Sequence, residues 1–155
     1  MKQTYVTLAV AIATAATAAT VADARPSTPG AHATRAAKVS LRHTGLGNIL
    51  VNSAGHTLYL FTRDHANKSS CATISECSET WPPLKTTGRP TAGPGVRASQ
   101  LSSIKLPHGG TQVTYSGHPL YIYSADSGPG ETSYVGERVF GGNWDAVNAA
   151  GHPVK

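Results

Sequence analysis

Residues 55–64, GHTLYLFTRD, recur in this chain as residues 117–126, GHPLYIYSAD. The two copies share the glycine, the histidine, the leucine, the tyrosine and the closing aspartate, with no insertion between them. A tryptophan follows each copy, Trp81 at 17 residues past the aspartate and Trp144 at 18 residues past it. Because self-similarity along a chain marks a duplicated structural unit, the sequence predicts a domain of two repeats.

Aliphatic and aromatic side chains alternate in both copies. The aliphatic positions are Leu58, Leu60, Leu120 and Ile122, and the aromatic positions are Tyr59, Phe61, Tyr121 and Tyr123. A strand that is apolar on both faces is typically covered on both faces, so these segments are predicted to be central strands. Turn residues precede each strand, which favours β-hairpins. The predicted fold class is mainly β, with duplicated β-hairpin repeats, pseudo-twofold symmetry and short helical turns.

The segment between the copies is predicted to hold little regular structure. Residues 73–76 fit a capping box that starts one helical turn carrying Cys77 and Trp81, and the prolines at 82–83 end it. Residues 85–95 contain three glycine and proline clusters and are predicted to form an irregular loop. A second short helix is predicted within residues 96–104. The turn recurs a third time at residues 148–153.

The N-terminal region differs in composition from the rest. A run rich in Ala, Thr and Val ends in an Ala-x-Ala-like cleavage site, so residues 1–24 are predicted to be a secretory signal peptide. Residues 25–43 lack apolar periodicity and are predicted to be a flexible basic linker. The two-repeat domain is then assigned to residues 44–155, with repeats at about 47–84 and 111–154. A secreted, extracellular location follows, and association with the cell surface stays open.

Charge argues against a nucleic-acid partner. The formal net charge is +5, but part of it lies on Arg25, Arg35, Lys38 and Arg42 in the assigned linker. From residue 44 onward, eight Lys and Arg face seven Asp and Glu, so no basic face is implied. The linker is interpreted as solvated chain, with contact to an anionic envelope polymer as the alternative. No transmembrane segment is predicted, because no run approaches about 20 apolar residues.

The two cysteines, Cys71 and Cys77, are predicted to form a disulfide. An even cysteine count in an exported chain favours this pairing, and closing so small a loop stabilises by about 2 kcal/mol. A redox pair is the alternative, although the spacing is not Cys-x-x-Cys and no His or Lys adjoins either thiol.

Both copies carry the motif Tyr-x-aromatic-x-x-Asp, at residues 59–64 and 121–126. In this they resemble a bacterial family of secreted repeats of unknown function, predicted to include lipoproteins and marked by Yx(F/W/Y)xxD. Residues 71–84 and 112–121 extend the resemblance, which spans about residues 47–154. It implies an exported two-repeat domain whose activity is not established. This chain departs from the family in two ways: no lipid-bearing cysteine follows the signal peptide, and the Cys71 to Cys77 spacing is longer.

The repeated aspartates, Asp64 and Asp126, have two interpretations. They form a carboxylate pair near the pseudo-twofold axis, suited to a cation or to acid–base chemistry, or each caps the end of its own strand. Duplication favours the structural interpretation, because structural needs recur in every repeat. A hydrolase built on this pair is the least favoured hypothesis, and no motif of a known enzyme class is present.

Histidine and aromatic side chains supply the remaining candidates. His56, His118 and His152 follow turn glycines and would form a copper or zinc site if they converged; otherwise they are exposed turn residues. The aromatic set is either a platform for a glycan or peptide or a group of core pillars, and comprises Tyr59, Tyr121, Tyr123, Tyr134, Trp81 and Trp144.

The leading hypothesis is an exported, non-enzymatic envelope or extracellular module that binds an unidentified partner or ligand. No cofactor is predicted under this hypothesis. Its contact regions are expected at the turns bearing His56 and His118 and in the loop at 86–96, because loops on rigid scaffolds tend to carry function. The alternative is a metal-binding or redox-linked envelope protein that uses the turn histidines and the paired aspartates.

Overall fold

The computed structural model describes residues 36–155, and within them the fold is mainly β. The strands are β1 (Lys38–Thr44), β2 (Gly47–Val51), β3 (Tyr59–Phe61), β4 (Thr91–Ala92), β5 (Leu101–Lys105), β6 (Thr111–Tyr115), β7 (His118–Pro119), β8 (Glu137–Val139), β9 (Gly142–Val147) and β10 (Pro153–Val154). Helix α1 spans Ser75–Thr80, and 3-10 turns lie at Cys71–Thr73 and Ala98–Gln100. None of the helices in this part of the chain is long and apolar enough to cross a membrane.

The strands form three small sheets that follow the repeats. Antiparallel hairpin β1–β2 opens the first repeat and antiparallel hairpin β5–β6 opens the second. Strand β4 adds to β1, and β7 adds to β6. The third sheet has the order β10-β9-β3, with β8 also paired to β9. Strand β3 of the first repeat therefore pairs with β9 of the second, which joins the repeats.

Two of the connections between strands are turns of the same conformation. The side-chain oxygen of an asparagine accepts the backbone N–H groups two and four residues later, at 2.9 and 3.0 Å, from Asn52 and again from Asn148. The glycine three residues after each has φ of 86° at Gly55 and 87° at Gly151. Glycine adopts this left-handed conformation without steric cost. The similarity in sequence between residues 52–56 and residues 148–152 therefore reflects the same turn conformation.

The alternating strands separate two hydrophobic cores. Their leucines lie in an aliphatic core, which includes Val39, Leu50, Leu58, Leu60, Leu101, Val113, Tyr115, Leu120 and Val147. Their aromatic residues lie in an aromatic core, which consists of Tyr59, Phe61, Cys71, Cys77, Trp81, Tyr121 and Trp144. The prediction of a strand covered on both faces is confirmed for β3, because Tyr59, Leu60 and Phe61 are all at most 2% exposed.

The predicted start of the domain at residue 44 is wrong. Residues 38–43 were assigned to the flexible linker, but they belong to β1, which pairs with β2 along its length. Val39 is fully buried in the aliphatic core. Strand β1 has few apolar residues, and it is ordered by pairing on both sides, with β2 and with β4. The predicted signal peptide and the linker up to residue 35 lie outside the described residues.

The loop predicted as irregular at residues 85–95 is partly regular. Residues Thr91–Ala92 form β4, which pairs in parallel with β1. The hydroxyl of Thr86 is buried and accepts the backbone N–H of Ala37 at 3.0 Å. This segment, expected to be a contact region, is therefore docked on β1 over part of its length.

The helical predictions are partly correct. Helix α1 carries Cys77, as predicted, but it ends at Thr80, so Trp81 follows the helix instead of lying within it. The predicted capping box does not form, because α1 begins after Ile74 without a side-chain cap and the Thr73 hydroxyl donates to Ser70 O. The second predicted helix is only the 3-10 turn before β5.

Residues 120–123 are not a regular strand of the kind predicted. They run beside residues 80–85, with backbone bonds from Leu84 N to Leu120 O and from Ile122 N to Pro82 O. Residues 82 and 83 are prolines and donate no backbone N–H. The pairing is consequently interrupted, although residues 80–85 lie beside residues 120–123 as β9 lies beside β3.

Candidate functional site

The two Tyr-x-aromatic-x-x-Asp motifs meet at the centre of the domain. Tyr59 and Tyr121 exchange two backbone hydrogen bonds, N to O, both of 2.9 Å. The Tyr121 hydroxyl donates to Asp64 Oδ2 at 2.7 Å, and the Tyr59 hydroxyl donates to Asp126 Oδ2 at 3.2 Å. The tyrosine of each motif thus binds the aspartate of the other motif. This crossed pairing explains why the two residue types occur together in both repeats.

The tryptophans stack on each other beside this centre. Their ring centroids are 4.1 Å apart, with an angle of 3° between the planes. Phe61 stacks on Trp144 at 4.2 Å, and Tyr123 lies against Trp81 at 4.5 Å. The edge-on partners repeat as well, Tyr59 with Trp81 at 5.1 Å and Tyr121 with Trp144 at 5.1 Å. Trp81 and Trp144 are 1% and 0% exposed, so both pack as core residues.

Burial dominates the electrostatics of both aspartates. It raises the pKa of Asp64, against the hydrogen bonds from Tyr121 and Ser70, which lower it. Burial also raises the pKa of Asp126, to about 6. The hydrogen bond from the Tyr59 hydroxyl opposes this shift, the charge of Glu131 adds to it, and the charge of His56 opposes it. Each aspartate accepts a hydrogen bond from a different tyrosine hydroxyl, Asp64 from Tyr121 and Asp126 from Tyr59.

We expect Asp126 to make the folded domain less stable as the pH rises from about 4 to about 7. Its pKa of about 6 in the folded state exceeds that of an unfolded aspartate, about 4. The folded state therefore keeps a proton that the unfolded state has lost, and the free energy of unfolding falls across this window. The free energy of unfolding of wild type and of Asp126→Asn is measured with urea at about pH 4 and at about pH 7. Between these two pH values wild type should lose on the order of 2 kcal/mol relative to the variant. Equal pH dependence of the two proteins would contradict this.

The turn histidines do not converge. His56 lies near enough to Asp126 to lower its pKa, His118 pairs with Tyr115 in the β6–β7 turn, and His152 is exposed in the β9–β10 turn. Across residues 36–155, no three His, Cys, Asp or Glu side chains are grouped so that they could hold a metal ion. The three histidines therefore do not form the single copper or zinc site considered from the sequence.

Cys71 and Cys77 are joined by a disulfide in the structure. It links the 3-10 turn to α1, and both cysteines are fully buried in the aromatic core. Thiol–disulfide exchange needs access for an attacking thiolate. Burial therefore favours a structural role for this disulfide over the redox alternative.

A cavity of about 500 Å³ lies beside the aromatic core. Its lining residues are Thr80, Trp81, Tyr123, Tyr134, Glu137, Val139 and Phe140. The rings of Tyr123 and Tyr134 are 3.8 Å apart and inclined at 43°. Within residues 36–155, the large hydrophobic side chain that is exposed is that of Val139, at 40%. Of this set, the sequence singled out Trp81, Tyr123 and Tyr134, but not the residues of the β8–β9 hairpin.

The turn of that hairpin has an unusual residue. Phe140 and Gly141 connect β8 to β9, with φ of 56° and 85°. Two-residue hairpin turns with positive φ at both positions strongly prefer Asn-Gly or Gly-Gly, and a bulky aromatic residue there is strained. The Phe140 carbonyl accepts a hydrogen bond from Arg63 Nη1 at 2.9 Å. The Phe-Gly pair ahead of β9 was the signal in the sequence that could have drawn attention to this place.

The cavity breaks the symmetry of the repeats. Tyr123, against Trp81, is partly exposed and lines the cavity, whereas its counterpart Phe61, against Trp144, is 1% exposed. On the closed side β9 lies directly against Phe61: a Cβ on Gly142 would come within 2.7 Å of the Phe61 ring. One half of the aromatic core is thus sealed by close packing and the other half is open.

The fold and the crossed motifs define a duplicated β domain whose two repeats complete each other. The family model described as a secreted repeat of unknown function matches residues 40–85 and 102–148, more than half of the chain. The chain therefore belongs to this family of secreted repeats. Each match contains one opening hairpin, one Tyr-x-aromatic-x-x-Asp motif and one core tryptophan. Comparison with curated proteins and with solved structures gives no significant match.

Proposed function

We propose that this domain is an exported, non-enzymatic module that binds a small, partly apolar ligand in the cavity beside Trp81. The single observation that carries the proposal is the asymmetry of the aromatic core. Features that the fold requires recur in both repeats, such as the tryptophans and the crossed tyrosines, whereas the cavity is open in one half. A property present once in a duplicated scaffold is a stronger candidate for function than one present twice.

The size and lining of the cavity suit a small molecule. Sites for small ligands are typically clefts of about 300–1,000 Å³, lined by aromatic and apolar side chains with few polar groups. Here the aromatic and apolar lining is joined by the Thr80 hydroxyl and the Glu137 carboxylate. A second cavity, of about 210 Å³, is smaller and its lining, which includes Pro82, Lys85 and His108, has no aromatic ring other than that histidine.

The backbone conformation of Phe140 supports a ligand site at the same cavity. Residues held in sparsely populated backbone regions concentrate at ligand sites, where function maintains them against a cost of about 1–3 kcal/mol. Asparagine at this turn position would satisfy the backbone, but it would remove a ring from the cavity. The presence of phenylalanine is therefore accounted for by the contact that its ring makes with a ligand.

The test uses a variant that separates binding from folding. Phe140→Asn creates the favoured Asn-Gly turn, so we expect it to keep the fold and its melting temperature, and to weaken ligand binding at least about tenfold. Binding is measured by amide NMR with a panel of neutral, cationic and anionic fragments, including phenol and indole. Wild-type shift changes should concentrate on the cavity residues. Val154→Ser, in β10 away from the cavity, is the control and should bind as wild type does.

Two results would contradict the proposal. One is a panel in which no fragment shifts the cavity resonances of the folded wild-type protein. The other is binding at the cavity that Phe140→Asn leaves unchanged.

A further inference from the structure

We propose that the ligand carries an organic cation, of the quaternary ammonium type, which contacts the aromatic side chains lining this cavity beside Glu137. This inference rests on the proposed function, because it names the ligand class of the same cavity.

The rings give the cavity negative electrostatic surfaces. Tyr123, Tyr134 and Phe140 line it together with Trp81. The faces of aromatic rings attract cations placed within about 6 Å of the ring centre, and a cluster of such rings is the usual receptor for quaternary ammonium groups. Tyr123 and Tyr134 pack on each other, with ring centroids 3.8 Å apart, and form one aromatic wall of the cavity, which Phe140 also lines.

The carboxylates that influence the pKa of the Tyr123 hydroxyl are those of Asp126 and Glu137. Glu137 lines the cavity, and alternation along β8 puts it on the same face as Val139, which also lines it, and puts Arg138 on the opposite face. Burial, and then the neighbouring Tyr134, raise the pKa of the Tyr123 hydroxyl, and the negative charges of Asp126 and Glu137 raise it further. Both carboxylates therefore act on Tyr123, which lines the cavity.

Arg63, the cation bonded to the β8–β9 turn, is not part of the cavity lining. Arg63 donates Nη1 to the Phe140 carbonyl, and its guanidinium lies against Gly141 on the turn. It holds the backbone that presents the Phe140 ring and is not among the cavity residues. The cavity thus offers aromatic faces and a carboxylate, with no cationic side chain in its lining.

The same lining disfavours a metal ion and a strongly hydrated ammonium group. Calcium and magnesium require six or more oxygen ligands, including waters, whereas the lining supplies one carboxylate, one threonine hydroxyl and two phenols. A primary ammonium has three N–H donors to satisfy. A quaternary ammonium has none and presents apolar methyl groups, so it matches rings with a single acid at the rim.

The experiment compares a cation with a neutral molecule of the same shape. Choline and 3,3-dimethylbutan-1-ol are titrated into the full chain, and dissociation constants are taken from amide NMR shifts. We expect choline to bind at least about tenfold more tightly than the alcohol. Glu137→Gln should reduce this preference several-fold, Phe140→Asn should weaken both ligands, and Glu76→Gln on α1 should leave both unchanged.

The outcomes separate the two proposals. Equal binding of choline and the alcohol at the cavity overturns the cation inference and leaves the proposed function standing. The same holds if neither binds while other fragments of the panel still shift the cavity resonances. If no compound of any charge binds there, both proposals are overturned. A choline preference that Glu137→Gln leaves intact would also overturn the role assigned to that acid.

Discussion

Replacement of Trp144 by alanine is expected to destabilise the domain by about 3–5 kcal/mol. Trp144 is fully buried and stacks on both Phe61 and Trp81, with the Tyr121 ring against it edge-on. Its removal leaves a cavity at the point where the two repeats share a core. Because a domain of this size is stable by only about 5–15 kcal/mol, the variant should be largely unfolded under mildly destabilising conditions.

The measurement for Trp144 is urea unfolding followed by circular dichroism. His152→Ala, in the exposed β9–β10 turn, is the control and should change the free energy of unfolding by no more than about 0.5 kcal/mol. A Trp144→Ala variant that loses less than about 1 kcal/mol would show that the stacked tryptophans do not support the core.

Removing the Tyr121 hydroxyl is expected to destabilise the domain by about 2–3 kcal/mol, and removing the Tyr59 hydroxyl by about 1 kcal/mol. Tyr121 donates to half-buried Asp64 at 2.7 Å and lies 2.7 Å from the Ser69 hydroxyl. In Tyr121→Phe the Asp64 carboxylate keeps the Ser70 N–H but loses its hydroxyl donor. The bond from Tyr59 to Asp126 is longer, 3.2 Å at its shortest, so less is lost with it.

Both phenylalanine variants are compared by urea unfolding at neutral pH. A double-mutant cycle of Tyr121→Phe with Asp64→Asn isolates the coupling between the two repeats, since other effects of each change cancel. We expect a coupling of about 1 kcal/mol or more. Equal costs for the two tyrosines, or no coupling, would mean that the crossed pairs do not hold the repeats together.

The crossed pairing changes how the repeat is understood. The aspartate of each motif has its tyrosine donor in the other repeat. Strand β3 likewise pairs with β9 across the repeats. One repeat alone would expose its tryptophan and leave a carboxylate without its tyrosine donor, so the duplicated unit is the half of a fold rather than a fold in itself.

Local and periodic patterns in the sequence were sufficient for several features. The alternation of leucine and aromatic residues indicated strands covered on both faces, because side chains alternate strictly along a strand. The turn glycines, Gly55, Gly117 and Gly151, all have positive φ. The disulfide between Cys71 and Cys77 followed from cysteine count and compartment. Each of these depends on residues close together in the chain or on a repeating period.

The sequence by itself therefore determined the duplication, the mainly β class and the family, because these are recorded in spacing and repetition. Tertiary structure alone decided three other features: the order of β1, the exchange of partners between Tyr121 and Asp64 and between Tyr59 and Asp126, and the opening of the aromatic core on one side. Each depends on contacts between residues far apart in the chain. Such contacts form through packing and strand pairing, and no local pattern specifies which distant segment will supply the partner.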